Sequence, residues 1–205
     1  MNGRKAMFLR KLTAVLLLIA VCVVSSSAGV CADTFTEDDF DDLAVSLDCF
    51  LGLFEPDYQD VMRVWPMLTK EVLAIFARKY IYHSPDDYTV EDNYFCMSRE
   101  DVNRAITNLF GCTGIGDLDS PESGLFLRNG KYCVPAASGE GGFYEMRLVS
   151  IDADREFPRV TAERYYVSDF EDDRYIGRFR FGFSKDDNCD SGYHLGNMSV
   201  EDLAN

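Results

Sequence analysis

Tyr175-Ile176-Gly177-Arg178-Phe179-Arg180-Phe181-Gly182-Phe183 changes side-chain type at almost every step. Successive side chains of an extended chain point to opposite faces. That places Tyr175, Phe179, Phe181 and Phe183 on one side and Ile176, Arg178 and Arg180 on the other. The stretch predicts a strand with an aromatic face that must be covered and a cationic face that need not be.

Working outward, the same period of two recurs. Tyr144, Met146 and Leu148 alternate with Glu145 and Arg147, and a further strand is predicted from about 159 to 168. Residues 124–128 and 131–135 flank Asn129-Gly130, a pair whose tolerance of positive φ suits a two-residue hairpin. Turns at 152–158, 169–174 and 185–192 separate the later strands at hairpin distances.

Before residue 111 the period is helical. Phe40, Leu43, Ala44, Leu47, Leu51 and Phe54 recur at helical spacing behind Thr36 and Asp39, which are spaced as a cap. A short helix is predicted at 57–64, and another from Thr69 carries Val72, Leu73, Phe76, Ala77 and Tyr80 on one side. Residues 85–93 read as an acidic loop and 93–97 as a short strand. Ser98 then starts a helix with Val102, Ala105, Ile106, Leu109 and Phe110 on one stripe, ended by Gly111. The fold class predicted is α+β, with N-terminal helices packed on one face of a C-terminal antiparallel meander sheet.

Residues 1–32 read as a secretory signal: basic Arg4, Lys5, Arg10 and Lys11, an apolar run from Leu12 to Val24, then small residues. The run has 13 residues, short of a membrane span, which needs roughly 20. Cleavage after Ala32 is preferred, with Ala28 or Gly29 as alternatives; a lipid anchor on Cys31 is the weaker reading, since Val30 precedes it. The expectation is a single extracytoplasmic domain over 33–205, secreted or held at the cell surface, with no membrane span after cleavage.

The chain has 20 basic and 35 acidic residues for a net charge of −15, and loss of the four basic residues of the leader takes this to about −19. Such a field repels phosphate backbones, and nucleic acid is excluded as a partner. With 47% hydrophobic and 13% aromatic residues, the chain has enough apolar surface to fold.

Five cysteines follow the leader: Cys49, Cys96, Cys112, Cys133 and Cys189. Cys49 lies on an apolar helical face and reads as a buried free thiol. The other four fall where pairing is possible, with a connectivity that spacing leaves open. No C-x-x-C is present, which removes the usual signal for zinc ribbons and thioredoxin-like chemistry.

Three places could carry chemistry. Arg147, Arg178 and Arg180 share the face opposite the aromatics, with Glu145 and Glu163 near enough to pair. They form a cross-strand charge ladder if that face is open to water. If the sheet curls, Arg147, Arg178, Arg180 and Glu145 line a concave anion site. The turn Asp186-Asp187-Asn188-Cys189-Asp190-Ser191-Gly192 offers oxygens at alternating positions, Asp186, Asn188 and Asp190, as a calcium loop does. Its glycine is seventh instead of sixth and its twelfth residue is Asn197, so a solvated turn is preferred and no cofactor is expected. Neither histidine, His83 nor His194, belongs to a recognised motif; pairings of His83 with Asp86 or of His194 with Cys133 are the conceivable ones. Gly111-Cys112-Thr113-Gly114-Ile115-Gly116 follows a helix instead of opening one, so it is a connector and not a phosphate cradle.

From His83 to Gly192, the order is an aromatic strand with Ser98-Arg99-Glu100-Asp101, then a helix ending Asn108-Leu109-Phe110-Gly111. The hairpin Asn129-Gly130-Lys131-Tyr132 and a meander closing on Gly192-Tyr193 follow. This order resembles exported proteins of unknown function from Gram-positive gut bacteria, similar in outline to cystatin-like or nuclear-transport-factor-like cone folds. The resemblance implies bacterial export and a small accessory role, and it transfers no functional residue. The preferred function is a non-catalytic binding or interaction domain for an unidentified protein or small ligand. The alternative is a small hydrolase or isomerase using the concavity of the sheet, with a carboxylate or His83 as base.

Overall fold

Thr36 opens the first helix as its spacing to Asp39 predicts. Its Oγ1 accepts from the Asp39 amide at 3.3 Å, and Asp39 Oδ2 accepts from the Thr36 amide at 2.7 Å, a reciprocal capping box. The computed structural model describes residues 34–54, 68–84, 88–136, 143–153, 156–168 and 171–204. The leader 1–32 and the helix expected at 57–64 lie outside the described residues.

Three α-helices are described: α1 (Glu37–Leu51), α2 (Lys70–His83) and α3 (Arg99–Phe110). Thr69 and Ser98 cap the second and third, their hydroxyls accepting from the amides of Val72 and Asp101. Among the described residues no helix is long and apolar enough to cross a membrane.

Among the described residues, eight strands form two antiparallel sheets, so the α+β class holds. β1 (Thr89–Glu91), β2 (Tyr94–Ser98), β3 (Phe126–Arg128) and β4 (Lys131–Pro135) make the first, in the order β1-β2-β4-β3. β5 (Phe143–Asp152), β6 (Arg159–Val167), β7 (Arg174–Lys185) and β8 (Tyr193–Leu203) make the second, a meander in sequence order. The hairpin at Asn129-Gly130 forms, both residues at positive φ of 49° and 78°. It does not extend the meander, however. β4 pairs with β2, setting Cys96 directly opposite Cys133, and those two residues are disulfide-bonded. β1, which the sequence places in a loop, forms because Asp92 and Asn93 accept positive φ and turn the chain back onto β2.

The aromatic face of β7 is buried as expected: Phe179 and Phe181 are 0% exposed and Phe183 is 1% exposed. Complete burial of such a side chain contributes about 1.5–3 kcal/mol. α1 packs on β5 and α3 on β8, while α2 packs on β4 and β2. The helices therefore cover the meander only in part, because α2 packs on the smaller sheet and α3 touches both sheets, and a single apolar core joins helices and sheets.

One detail of the deciding strand differs. Register shifts between Arg164 and Tyr165 make Ile176 the extra residue of a bulge, so Tyr165 pairs with Tyr175. Tyr175 thereby moves to the arginine side, where its hydroxyl donates to Asp202 Oδ2 at 3.2 Å, and Ile176 packs against the core.

Candidate functional site

The outer face of β5–β8 carries the four residues the sequence singles out, Glu145, Arg147, Arg178 and Arg180. Strand register aligns Arg147 with Glu163 and Glu163 with Arg178. Each guanidinium is on a carboxylate of the same chain. Arg147 reaches Glu145 at 2.6 Å and also Asp173, Arg178 reaches Glu163 at 2.5 Å, and Arg180 reaches Glu201 at 2.5 Å. Arg147 also lies over the Tyr165 ring at 4.4 Å, and the Tyr165 hydroxyl donates to Glu163 at 2.8 Å. This is the ladder arrangement. Pairs this exposed to solvent are screened and contribute little individually.

The pairing shifts the titration of its members. Arg178, then Tyr165, by hydrogen bonding, hold the Glu163 carboxyl below its ordinary 4.5, and Glu163 in turn raises Tyr165 and Arg178. A carboxyl depressed in the folded state stabilises the fold above its unfolded value, and that contribution is lost as pH falls through the lower folded value. Denaturant midpoints should therefore be flat down to about pH 5 and fall below 4.5. Glu163→Gln, facing the same Arg147, Tyr165, Tyr175 and Arg178, should lower the midpoint at neutral pH and flatten part of the acid decline. An unchanged acid slope would remove Glu163 from that role.

The β7–β8 turn is built from its backbone outward. The Asp186 amide donates to Gly192 O at 2.8 Å, and the amides of Cys189 and Gly192 donate to Asp186 O and Cys189 O. Asp186, Asn188 and Asp190 each engage groups of the chain itself. Asp186 Oδ1 accepts from both the amide and the side-chain NH2 of Asn188 at 2.9 and 2.8 Å. Asp190 turns to α3, where Asn108 Nδ2 donates to its Oδ2 at 2.9 Å and Asn108 Oδ1 accepts from its amide at 2.9 Å.

Asp186 instead meets His194 at the start of β8, with His194 Nδ1 3.1 Å from Asp186 Oδ2. The side-chain donor atoms of Asp186, Cys189 and His194 lie within 4.8 Å of one another. The backbone of Gly111 presses on them: a Cβ there would stand 2.7 Å from Asp186 Oδ2 and 2.9 Å from His194 Nδ1. Gly111 also holds φ at +66° to end α3, a conformation that costs an L side chain roughly 1–2 kcal/mol. Gly111→Ala should lower stability by at least that amount in urea titration. An unchanged midpoint would mean that the turn does not seat against α3.

Cys189 is no activated nucleophile. Burial, then Asp186 and Asp190, push its thiol up to about 12, and it donates to Thr107 O at 3.2 Å. Cys133, the conceivable partner of His194, is taken by the disulfide. Asp86, the conceivable partner of His83, lies outside the described residues. His83 Nδ1 is 3.6 Å from Asp48 Oδ2.

That contact belongs to a cluster the sequence reading missed. Asp48 on α1 and Arg164 on β6 form a buried ion pair with Nε 2.6 Å from Oδ1, and the guanidinium lies over the Tyr144 ring at 3.9 Å. A signal was present: Asp48 stands between Leu47 and Cys49 on the apolar stripe, and Arg164 shares the inward parity of Val160 and Ala162. Two opposite charges at inward positions imply each other.

A pocket of about 210 Å³ lies among the helices, lined by residues including Asp42, Ser46, Tyr80, Asp101 and Arg104. It borders none of His83, Glu145, Arg147, Arg178 and Arg180, and it is smaller than the roughly 300–1,000 Å³ of typical small-molecule sites. Set against known proteins, the chain matches no family model, no curated protein and no solved structure.

Proposed function

We propose that the chain is a non-catalytic, exported interaction domain that meets a basic partner protein through the outer face of β5–β8. The observation that carries this reading is the occupancy of the arginines. Arg147, Arg178 and Arg180 are already engaged by the chain's own carboxylates, which leaves little for a small anionic substrate. The face also has more acid than base. Glu145, Asp152, Glu163, Asp173, Glu201 and Asp202 outnumber Arg147, Arg159, Arg178 and Arg180, with Tyr165 and Tyr175 between them as aromatic hydrogen-bonding groups. A net charge of −15 adds long-range attraction for a cationic partner. Export is supported by the leader and by the Cys96–Cys133 disulfide, a bond characteristic of oxidising compartments.

Cross-linking capture from the exported protein fraction of the source cells tests the proposal. The wild-type chain should retain a basic protein, with retention falling as ionic strength rises from about 0.05 to about 0.5 M. Glu163→Lys with Asp202→Lys should abolish retention, and Glu37→Lys at the exposed start of α1 should not. Equal retention by the face variant, or equal loss in both variants, contradicts the assignment of this face.

A further inference from the structure

The geometry points to a zinc-class metal site formed by Asp186, Cys189 and His194 at the β7–β8 turn. The three side chains offer a carboxylate oxygen, a sulfur and an imidazole nitrogen, all within 4.8 Å of one another. Thiolate with imidazole is the donor set of zinc and its transition-metal neighbours and is foreign to calcium or magnesium, which take oxygen.

The spacing suits that ion. Arms of about 2.0–2.1 Å to nitrogen and oxygen in a tetrahedron set those two atoms roughly 3.3 Å apart. Asp186 Oδ2 and His194 Nδ1 already stand at 3.1 Å. A sulfur arm of about 2.3 Å asks for roughly 3.6 Å between sulfur and nitrogen, so Cys189 needs to close by little more than 1 Å at most.

A second observation comes from the histidine. Nδ1 of His194 is itself shut off from solvent and faces Asp186 Oδ2 at 3.1 Å, the carboxyl that the Asn188 amide and then His194 help to hold below its ordinary value. Nitrogen and carboxylate thus already face one another across a space closed to water, the arrangement that a cation shared between them needs. The surroundings favour positive charge as well. The turn carries Asp187 and Asp190 in addition to Asp186, and the C-terminal end of α3, where the helix dipole is negative, abuts it through Gly111.

The frame is in place before any ion arrives. Backbone hydrogen bonds close the turn and Asn108 pins Asp190, while the Cys189 thiol donates to Thr107 O, a bond it gives up on binding metal as thiolate. Binding exchanges the thiol proton for the metal and leaves a fourth coordination position for water or a ligand from outside the turn.

The test uses the untagged full chain, stripped of metal by chelator and kept oxidised so that the Cys96–Cys133 bond is retained. Zn²⁺ should bind at one equivalent and raise the melting temperature, while Ca²⁺ and Mg²⁺ leave it unchanged. Co²⁺ in place of Zn²⁺ should give a thiolate-to-metal charge-transfer band. Cys189→Ser should abolish that band, and His194→Ala should weaken Zn²⁺ binding by at least about 100-fold. Cys112→Ser and Cys49→Ser, at the other free cysteines among the described residues, should leave both unchanged. Circular dichroism of each variant separates a lost ligand from a lost fold. If Cys189→Ser fails to fold, the band in wild type and its loss in a folded His194→Ala carry the decision. No zinc binding at micromolar metal, or binding that survives loss of Cys189 and His194 in folded variants, overturns the site.

Discussion

Asp48→Ala is expected to cost the fold about 3–5 kcal/mol, because it removes the carboxylate 2.6 Å from the buried Arg164 guanidinium. Arg164 is 1% exposed and Asp48 4% exposed, so water cannot replace the missing partner. Removing both charges is a different experiment. Asp48→Leu with Arg164→Met fills the space with apolar groups of similar size, and replacing a buried pair in this way is often neutral or stabilising. Urea denaturation should show the single variant strongly destabilised and the double variant close to wild type. A single variant within about 1 kcal/mol of wild type would mean that the pair is hydrated in solution.

Loss of the disulfide should be comparable. Cys96 and Cys133 are 37 residues apart, and cross-linking a loop of that length removes unfolded-state entropy equivalent to about 4 kcal/mol. Replacing both cysteines by alanine should lower the melting temperature by about 8–16 °C for a chain of this size. Reductant should bring the wild type down to the same value and leave the double variant where it is. A further fall of the variant under reductant would reveal a second disulfide.

Much of this fold is legible in the sequence, since its elements carry strong local signals. The caps at Thr36, Thr69 and Ser98, the stop at Gly111, the Asn129-Gly130 hairpin and the buried rings of β7 each follow from a short run of residues. The assignment of strands to sheets was not legible. Pairing of β4 with β2 depends on contacts some forty residues apart, and alternation says which face a residue takes without naming the neighbouring strand. The bulge at Ile176 was hidden for a related reason, since one extra residue reverses parity and leaves no mark in composition.

At the candidate sites the same division holds. Strand period alone put Glu145, Arg147, Arg178 and Arg180 on one face. The meeting of Asp186 with Cys189 and His194 required closing the β7–β8 turn, which sets Ser184 opposite His194. Read as a calcium loop, the turn drew attention to its oxygens and away from the sulfur and nitrogen beside them.

If the outer face of β5–β8 is a charge-paired surface and not an anion pocket, titration of the wild type with phosphate and citrate at low ionic strength, followed by thermal shift, should give no saturable stabilisation. Saturable stabilisation that disappears in Arg178→Gln would contradict it and assign the face to a small anionic ligand.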